Sequence, residues 1–330
     1  MSDASGRMYF AQISDLHVGK YGMNPLEASG NLRWALGEIG GLQPRPAGIL
    51  ATADLVCGGR REELEVYAEL AGESETPVYA SVANHDRWGE ADDAAVLELV
   101  GPLRQRVDLG PVTALLWDDT LRVEDGSWPA RLGEEQREWL TQELEASRGQ
   151  AVVVAHHVPM LAIDEEWHDK WRGSNAPEAL KLFREYGVLA TITGHWHRCG
   201  EWSSQGVRVI NTGALCGWQY TGIVPHWGFP TLPGYRLFCY EEGELRTFWR
   251  DGSYWQGQAP DAQVTIEKIG GVHTGGPRPQ VRPPMVAGSV KVTAKAFVRG
   301  GRAEAVEWSW RRGEWRGMTR IFDGLWSEWE

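Results

Sequence analysis

Five short segments of this 330-residue chain are built alike, an apolar run and then a residue able to hold a metal, and four of them contain six of the nine histidines. The segments are AQISDLH (11–17), ILATADL (49–55), ASVANHD (80–86), VVVAHH (152–157) and TITGHWH (191–197). One histidine at a strand end commonly satisfies a backbone hydrogen bond, but six at four such ends, with an aspartate at a fifth, point to a site. Asp15, His17, Asp54, Asn84, His156, His195 and His197 offer carboxylate, amide and imidazole donors, and no thiolate. That donor set suits zinc, manganese, iron, nickel or cobalt. Seven donors exceed one tetrahedral ion and match two ions, divalent or mixed-valence, that share a carboxylate. Such a pair suits phosphoester hydrolysis, because it can activate an oxygen and neutralise charge developing on phosphorus.

The elements that must position these residues can be read from periodicity. From residue 8 to about 250, strands alternate with helices. MYFAQI (8–13), AGILAT (47–52), PVYASV (77–82), VTALLW (112–117), AVVVA (151–155) and VLATIT (188–193) read as strands. Helical spacing covers 26–40, 61–72, 90–101, 133–147 and 176–187. GVRVIN (206–211) adds a strand, and GYRLFCY (234–240) with ELRTFWR (244–250) reads as a hairpin. This is an α/β pattern: mixed sheets with helices outside. Ligands collect at strand C-termini in such sheets. Asp15 and His17 are two apart, so on an extended strand they share a face, as do His195 and His197.

The ordered series Asp15-Leu16-His17, Ala53-Asp54, Ala83-Asn84-His85-Asp86, His156-His157-Val158-Pro159 and Gly194-His195-Trp196-His197 resembles the calcineurin-like metallophosphoesterase superfamily over residues 8–250. The resemblance implies a four-layer α/β/β/α sandwich of two mixed sheets. It implies that Asp15, His17 and His197 hold one metal, Asn84, His156 and His195 the other, and that Asp54 bridges them. It also implies attack of a bridging hydroxide on phosphorus. His85 would contact the phosphate and protonate the leaving alkoxide, and Asp86 would orient His85 or its loop. The family usually has glycine where this chain has Ala53 and Ala83. Alanine fits at negative φ, which is the expectation at both.

Further candidates have two readings each. Arg87, Arg60 and Lys20 are phosphate contacts or surface charge. His157 is pocket packing or a substrate contact. Trp88, Trp167, Trp218, His226 and Trp227 line the pocket or pack their own loops.

The formal net charge of -12 disfavours a nucleic-acid polymer as partner, leaving a small phosphoester, a diester before a monoester. No apolar run is long enough to cross a membrane, and no signal sequence is visible, so a cytoplasmic location is expected. The four cysteines, at no paired spacing, suggest neither disulfides nor a thiolate zinc site. The expected organisation is a catalytic domain over 1–256, a Gly/Pro-rich linker over 257–285, and a small β-rich segment over 286–330. That tail loosely resembles an immunoglobulin-like fragment, stops in mid-pattern as though cut, and should dock on the main domain. A competing reading is a non-catalytic phosphate-binding or scaffolding protein, in which the two alanines disable the site and the tail binds a partner.

Overall fold

A computed structural model describes residues 6–19, 25–89, 91–121, 128–160, 173–217, 233–252, 261–269, 272–273, 291–309 and 315–330. In chain order the first part contains β1 (Met8–Ile13), α1 (Pro25–Gly41), β2 (Ile49–Thr52), α2 (Arg61–Gly72), β3 (Val78–Ser81), α3 (Asp93–Leu99), β4 (Gln105–Asp108) and β5 (Val112–Leu116). It continues with α4 (Glu134–Ala146), β6 (Ala151–Ala155), α5 (Ala176–Glu185), β7 (Ala190–Thr193), β8 (Gly200–Ser204), β9 (Val207–Asn211), β10 (Gly234–Glu241) and β11 (Glu244–Asp251).

Two mixed sheets result, in the orders β11-β10-β1-β2-β3 and β4-β5-β6-β7-β9-β8. β1 is buried at every position because both its faces are covered. Its side chains alternate between two cores. Tyr9, Ala11 and Ile13 pack with Leu32, Leu36 and Ile39 of α1 and Leu64 and Leu70 of α2. Met8 and Phe10 point the other way, joining Leu50 and Phe238 against Val153, Ala155, Ile192 and Ile210 of the second sheet. Phe10 and Phe238 stack with centroids 4.6 Å apart. The outer face of the second sheet packs Leu115, Val152 and Val154 on Leu140 and Leu144 of α4 and Leu180 and Phe183 of α5. Helices, sheet, sheet, helices: the fold is the four-layer α/β/β/α sandwich.

The C-terminal part holds β12 (Ala262–Ile269), β13 (Val272–His273), β14 (Val292–Val298), β15 (Glu307–Trp308), β16 (Arg316–Gly317), β17 (Arg320–Asp323) and β18 (Ser327–Trp329). A sheet of order β13-β12-β14-β18-β17 forms, with β15 and β16 as a separate pair. The expected linker at 257–285 therefore contains two strands. β12 pairs antiparallel with β14 from Ala262 to Ile269, so the tail sheet draws a strand from before the Gly/Pro-rich stretch.

This sheet packs on the first sheet, on the α1 side. Phe297 stacks on Phe248 at 5.9 Å, and Trp326 meets Tyr9 edge-on at 6.3 Å. Glu38 of α1 ties the parts together. Its carboxylate takes bonds from Tyr235 (2.9 Å) and Arg250 (2.7 Å) and pairs with Arg299 of the tail at 2.7 Å. Breaking one partner of such a buried set leaves a charge uncompensated, at a cost of about 3–5 kcal/mol.

Candidate metal centre

The parallel strands β1, β2, β3, β6, β7 and β9 deliver their C-terminal loops to one edge of the inter-sheet core. Backbone hydrogen bonds stitch those loops together. Asp15 N donates to Ala53 O (3.2 Å), His17 N to Asp54 O (2.9 Å) and Gly194 N to His157 O (2.9 Å), while Leu215 N donates to Ser14 O (2.8 Å). Beneath them Gln12 donates to Thr52 Oγ1 (2.8 Å) and Thr193 O (3.1 Å), and Thr212 Oγ1 to Gln12 Oε1 (2.5 Å). Arg236 donates to Thr212 Oγ1 at 2.9 Å. This satisfied polar network joins the two sheets under the site.

The spacing of Asp15 and His17 predicts that both lie on an extended strand, but β1 ends at Ile13 and neither does. They converge through a different backbone device. Asp15 (φ 51), His17 (φ 48), Ala53 (φ 61), Asp54 (φ 46), His195 (φ 67) and His197 (φ 52) all adopt left-handed conformations. Each costs roughly 1–2 kcal/mol for an L-residue, and such strain collects at functional sites. The expected negative φ therefore fails at Ala53. Ala83 does stay outside the left-handed region.

Two groups of donors share one carboxylate. Asp54 Oδ2 lies 3.0 Å from His157 Nε2 and 3.7 Å from His17 Nε2. On one side His17 Nε2 is 3.3 Å from His197 Nε2, which is 3.1 Å from Asp15 Oδ1. On the other, His157 Nε2 is 3.2 Å from His195 Nδ1. His195 N donates to both Asp15 oxygens at 3.0 Å, and Ser14 Oγ to Asp15 Oδ2 at 2.7 Å. Ligand-type atoms of Asp54, His157 and His195 fall within 4.8 Å of one another, as do those of His17, Asp54 and His85 and those of His17, His197 and Cys216. Imidazole nitrogens facing each other this closely can share only one proton, and His17 Nδ1 is buried with no hydrogen-bond partner among the described residues. The donor set fits metal cations, and Asp54 is shared by two of the three groups.

Charge is distributed accordingly. Burial opposes protonation of His157, but the adjoining Asp54 carboxylate, with Asp15, raises its pKa to about 10. Burial would raise Asp15, yet His197 and His157 hold it at about 2. Burial and the neighbouring His157 lower His195 to about 4. His157, raised by Asp54 and Asp15, is thus the imidazole best placed to balance the carboxylates in the absence of a cation.

His156 is not in this cluster. Its Nδ1 faces Asp119 Oδ2 at 3.0 Å and its Nε2 faces Thr191 Oγ1 at 2.9 Å, beside the Trp117 ring. The reason is the strand alternation: Val152 and Val154 face the helices while Val153 and Ala155 face the inter-sheet core. His156 continues the first series and His157 the second. His157, read as packing or substrate contact, is the residue that reaches Asp54.

Of the NHD run, Asn84 precedes a 3-10 turn (His85–Arg87) without capping it by its side chain. His85 Nδ1 donates to Cys57 O at 2.8 Å, directing the rest of the ring inward, and Trp88 packs edge-on at 4.4 Å. Asp86 accepts from Leu55 N (2.6 Å), Val56 N (3.1 Å) and Ala83 N (2.8 Å), so it locks the Asp54 loop to the Asn84 loop. Arg87 is turned away. It is buried, donating to Asp93 Oδ1 (3.1 Å) and Thr120 O (2.6 Å), and so holds neighbouring loops rather than facing the cluster. Trp218, His226, Lys20, Trp167 and Trp227 lie outside the described residues. Cys216, Asp119 and the Gln12–Thr212–Arg236 network lie beside the cluster and carry no local motif.

A strand-end cluster of N/O donors at the edge of an α/β/β/α sandwich defines a metal-centred hydrolase class. Residues 8–199 match the calcineurin-like phosphoesterase family, and the chain belongs to it. It is 28% identical over 207 residues to the glycerophosphodiester phosphodiesterase GpdQ of Enterobacter lignolyticus, covering 58% of this chain and 71% of that relative. It is 25% identical over 252 residues to the 3′,5′-cyclic adenosine monophosphate phosphodiesterase CpdA of Pseudomonas aeruginosa, covering 74% and 90%. Among solved structures, a dimetal phosphatase from Danio rerio superposes with a TM-score of 0.56 at 16% identity, over 73% of this chain and 98% of that one; the likeness there is of fold. No helix among the described residues is long and apolar enough to cross a membrane.

Proposed function

We propose that the chain is a dinuclear metal-dependent phosphodiesterase acting on small phosphodiesters, and on monoesters more slowly. The observation that carries this is Asp54 Oδ2, placed between His17 Nε2 at 3.7 Å and His157 Nε2 at 3.0 Å. Asp15, His17 and His197 would hold one ion, and Asn84, His157 and His195 the other, with Asp54 available to both. When bound, the pair supplies the charge that activates water and neutralises phosphoryl oxygens. Ser14 and the His195 amide fix Asp15, and Asp86 fixes the separation of the two loops. His85, held by its Nδ1–H bond to Cys57 O, would give a proton from Nε2 to the departing alkoxide when the ring is doubly protonated. The names of the two curated relatives support diesters, and the net charge of -12 argues against a polyanionic polymer. We place the catalytic unit at residues 1–256 and the protein in the cytoplasm, where its four cysteine thiols would remain reduced.

The test is hydrolysis of bis(4-nitrophenyl) phosphate and 4-nitrophenyl phosphate with manganese, zinc, nickel or cobalt, for the wild type and the Asn84→Ala and His85→Ala variants. Metal-dependent turnover, faster on the diester and impaired in both variants, is expected. Absence of metal-dependent turnover on either compound would sink the enzyme reading in favour of a phosphate-binding scaffold.

A further inference from the structure

We infer that Cys216 is a sulfur ligand on the His17–His197 side of the centre, making the two cation positions chemically unequal. This rests on the reading that the centre holds metal. Cys216 lies in the loop after β9, and its Sγ is within 4.8 Å of the ligand nitrogens of His17 and His197. The sulfur belongs to that group and not to the one formed by Asp54, His157 and His195.

Its placement is built in. Cys216 N donates to Asp15 O at 3.1 Å and Leu215 N to Ser14 O at 2.8 Å, so the loop is pinned to the backbone that carries Asp15. The residue is 8% exposed and its thiol is free. Its hydrogen bond to Gly217 O, at 3.3 Å, is a weak one that ligation can replace. His17 independently points to a ligand, because it is 1% exposed and its Nε2 faces His197 Nε2 at 3.3 Å, two lone-pair donors brought together on the side where the sulfur lies. Ligation breaks the S–H bond, sends the proton to solvent and forms a sulfur–metal bond, with no change in oxidation state.

A thiolate beside two imidazoles favours zinc or cobalt over manganese. The opposite position, with only nitrogen and oxygen donors, lacks that bias. The centre should therefore take a softer ion on the His17–His197 side and tolerate a harder one on the other.

The full-length protein loaded with cobalt(II) alone tests this by absorption. A sulfur-to-cobalt charge-transfer band in the near ultraviolet is expected in the wild type and in Cys57→Ser, and its loss in Cys216→Ser. The visible cobalt bands should persist in all three. X-ray absorption on the zinc-loaded wild type, which needs no variant, should show a sulfur neighbour at about 2.3 Å. Cys216→Ser should weaken zinc binding by about tenfold while changing manganese binding less. Lack of both the charge-transfer band and the sulfur neighbour in the wild type overturns the inference, as does a band that survives in Cys216→Ser. These signals are read without turnover, so failed hydrolysis with a sulfur neighbour present would refute the proposed activity and not the ligand.

Discussion

His157 Nε2 lies 3.0 Å from Asp54 Oδ2, whereas the ring of the preceding His156 is held by Asp119 and Thr191. The two adjacent histidines should therefore fail in different ways. His157→Ala is expected to lower bound metal toward one ion per chain and to reduce kcat by two or more orders of magnitude. His156→Ala is expected to destabilise the fold by about 2–4 kcal/mol, through a core cavity and an unpaired Asp119, while keeping metal stoichiometry. Metal analysis with denaturant melts separates the outcomes, and loss of an ion only in His156→Ala would reverse the assignment.

Proton release follows from the same contact. With no metal bound, His157 carries a proton until its pKa of about 10. A cation that takes this nitrogen must displace the proton. Apparent affinity should rise about tenfold per pH unit between roughly pH 7 and 9 and level off above 10. Titration calorimetry in buffers of different ionisation heat should count about one proton released from this group. PH-independent affinity would contradict the arrangement.

A second pH effect lies away from the centre. Burial pushes the Asp118 carboxyl up to about 6, with Arg87 and Arg104 opposing the shift. The folded state then binds more protons than the unfolded one between roughly pH 4 and 6, so stability falls as pH rises through that window and is level above it. The loss is at most about 3 kcal/mol. Asp118→Asn should flatten the profile and be the more stable protein at pH 7; urea melts across pH 4–8 provide the check.

The two alanines should also differ. Ala53→Gly relieves a left-handed alanine worth about 1–2 kcal/mol but removes a buried methyl worth about 0.8 kcal/mol. It should change stability by about 1 kcal/mol or less, in the stabilising direction. Ala83→Gly relieves no such strain and should cost about 1 kcal/mol. Equal effects in thermal melts would mean that the backbone at Ala53 is not strained.

Trp88 is 58% exposed and packs on His85. If His85 protonates the leaving group as proposed, that group would lie beside this ring. Trp88→Ala should raise KM for bis(4-nitrophenyl) phosphate about fivefold to tenfold, the worth of one aromatic contact. It should change kcat less, and should change KM for an alkyl diester little. Equal effects on both substrates would remove the tryptophan from substrate recognition.

Much of the site is legible in the sequence because parallel strands buried on both faces read as unbroken apolar runs with ligands just beyond. MYFAQI, ILAT and AVVVA are of this kind. β4 (QRVD) and β8 (GEWSS) are antiparallel edge strands with half-exposed residues, so no apolar run marks them. β12 is hidden because the glycines and prolines that follow it make the whole stretch read as a linker. The His156–His157 choice is legible, but through the two-residue alternation of β6 and not through motif order. Cys216 carries no local signal at all, since only the pairing of the β9 loop with Ser14 and Asp15 brings it to the centre.

The hydrogen bonds from His195 N to Asp15 join residues 180 positions apart. Both donor groups need residues from the two sheets, so neither exists until the chain has closed that long loop, a step that is slow and entropically opposed. A chain emerging from the ribosome would thus have its first three ligand segments in place long before it could hold a cation firmly. Metal selection would then be made by the finished fold, whose geometry can discriminate, and not by the growing chain.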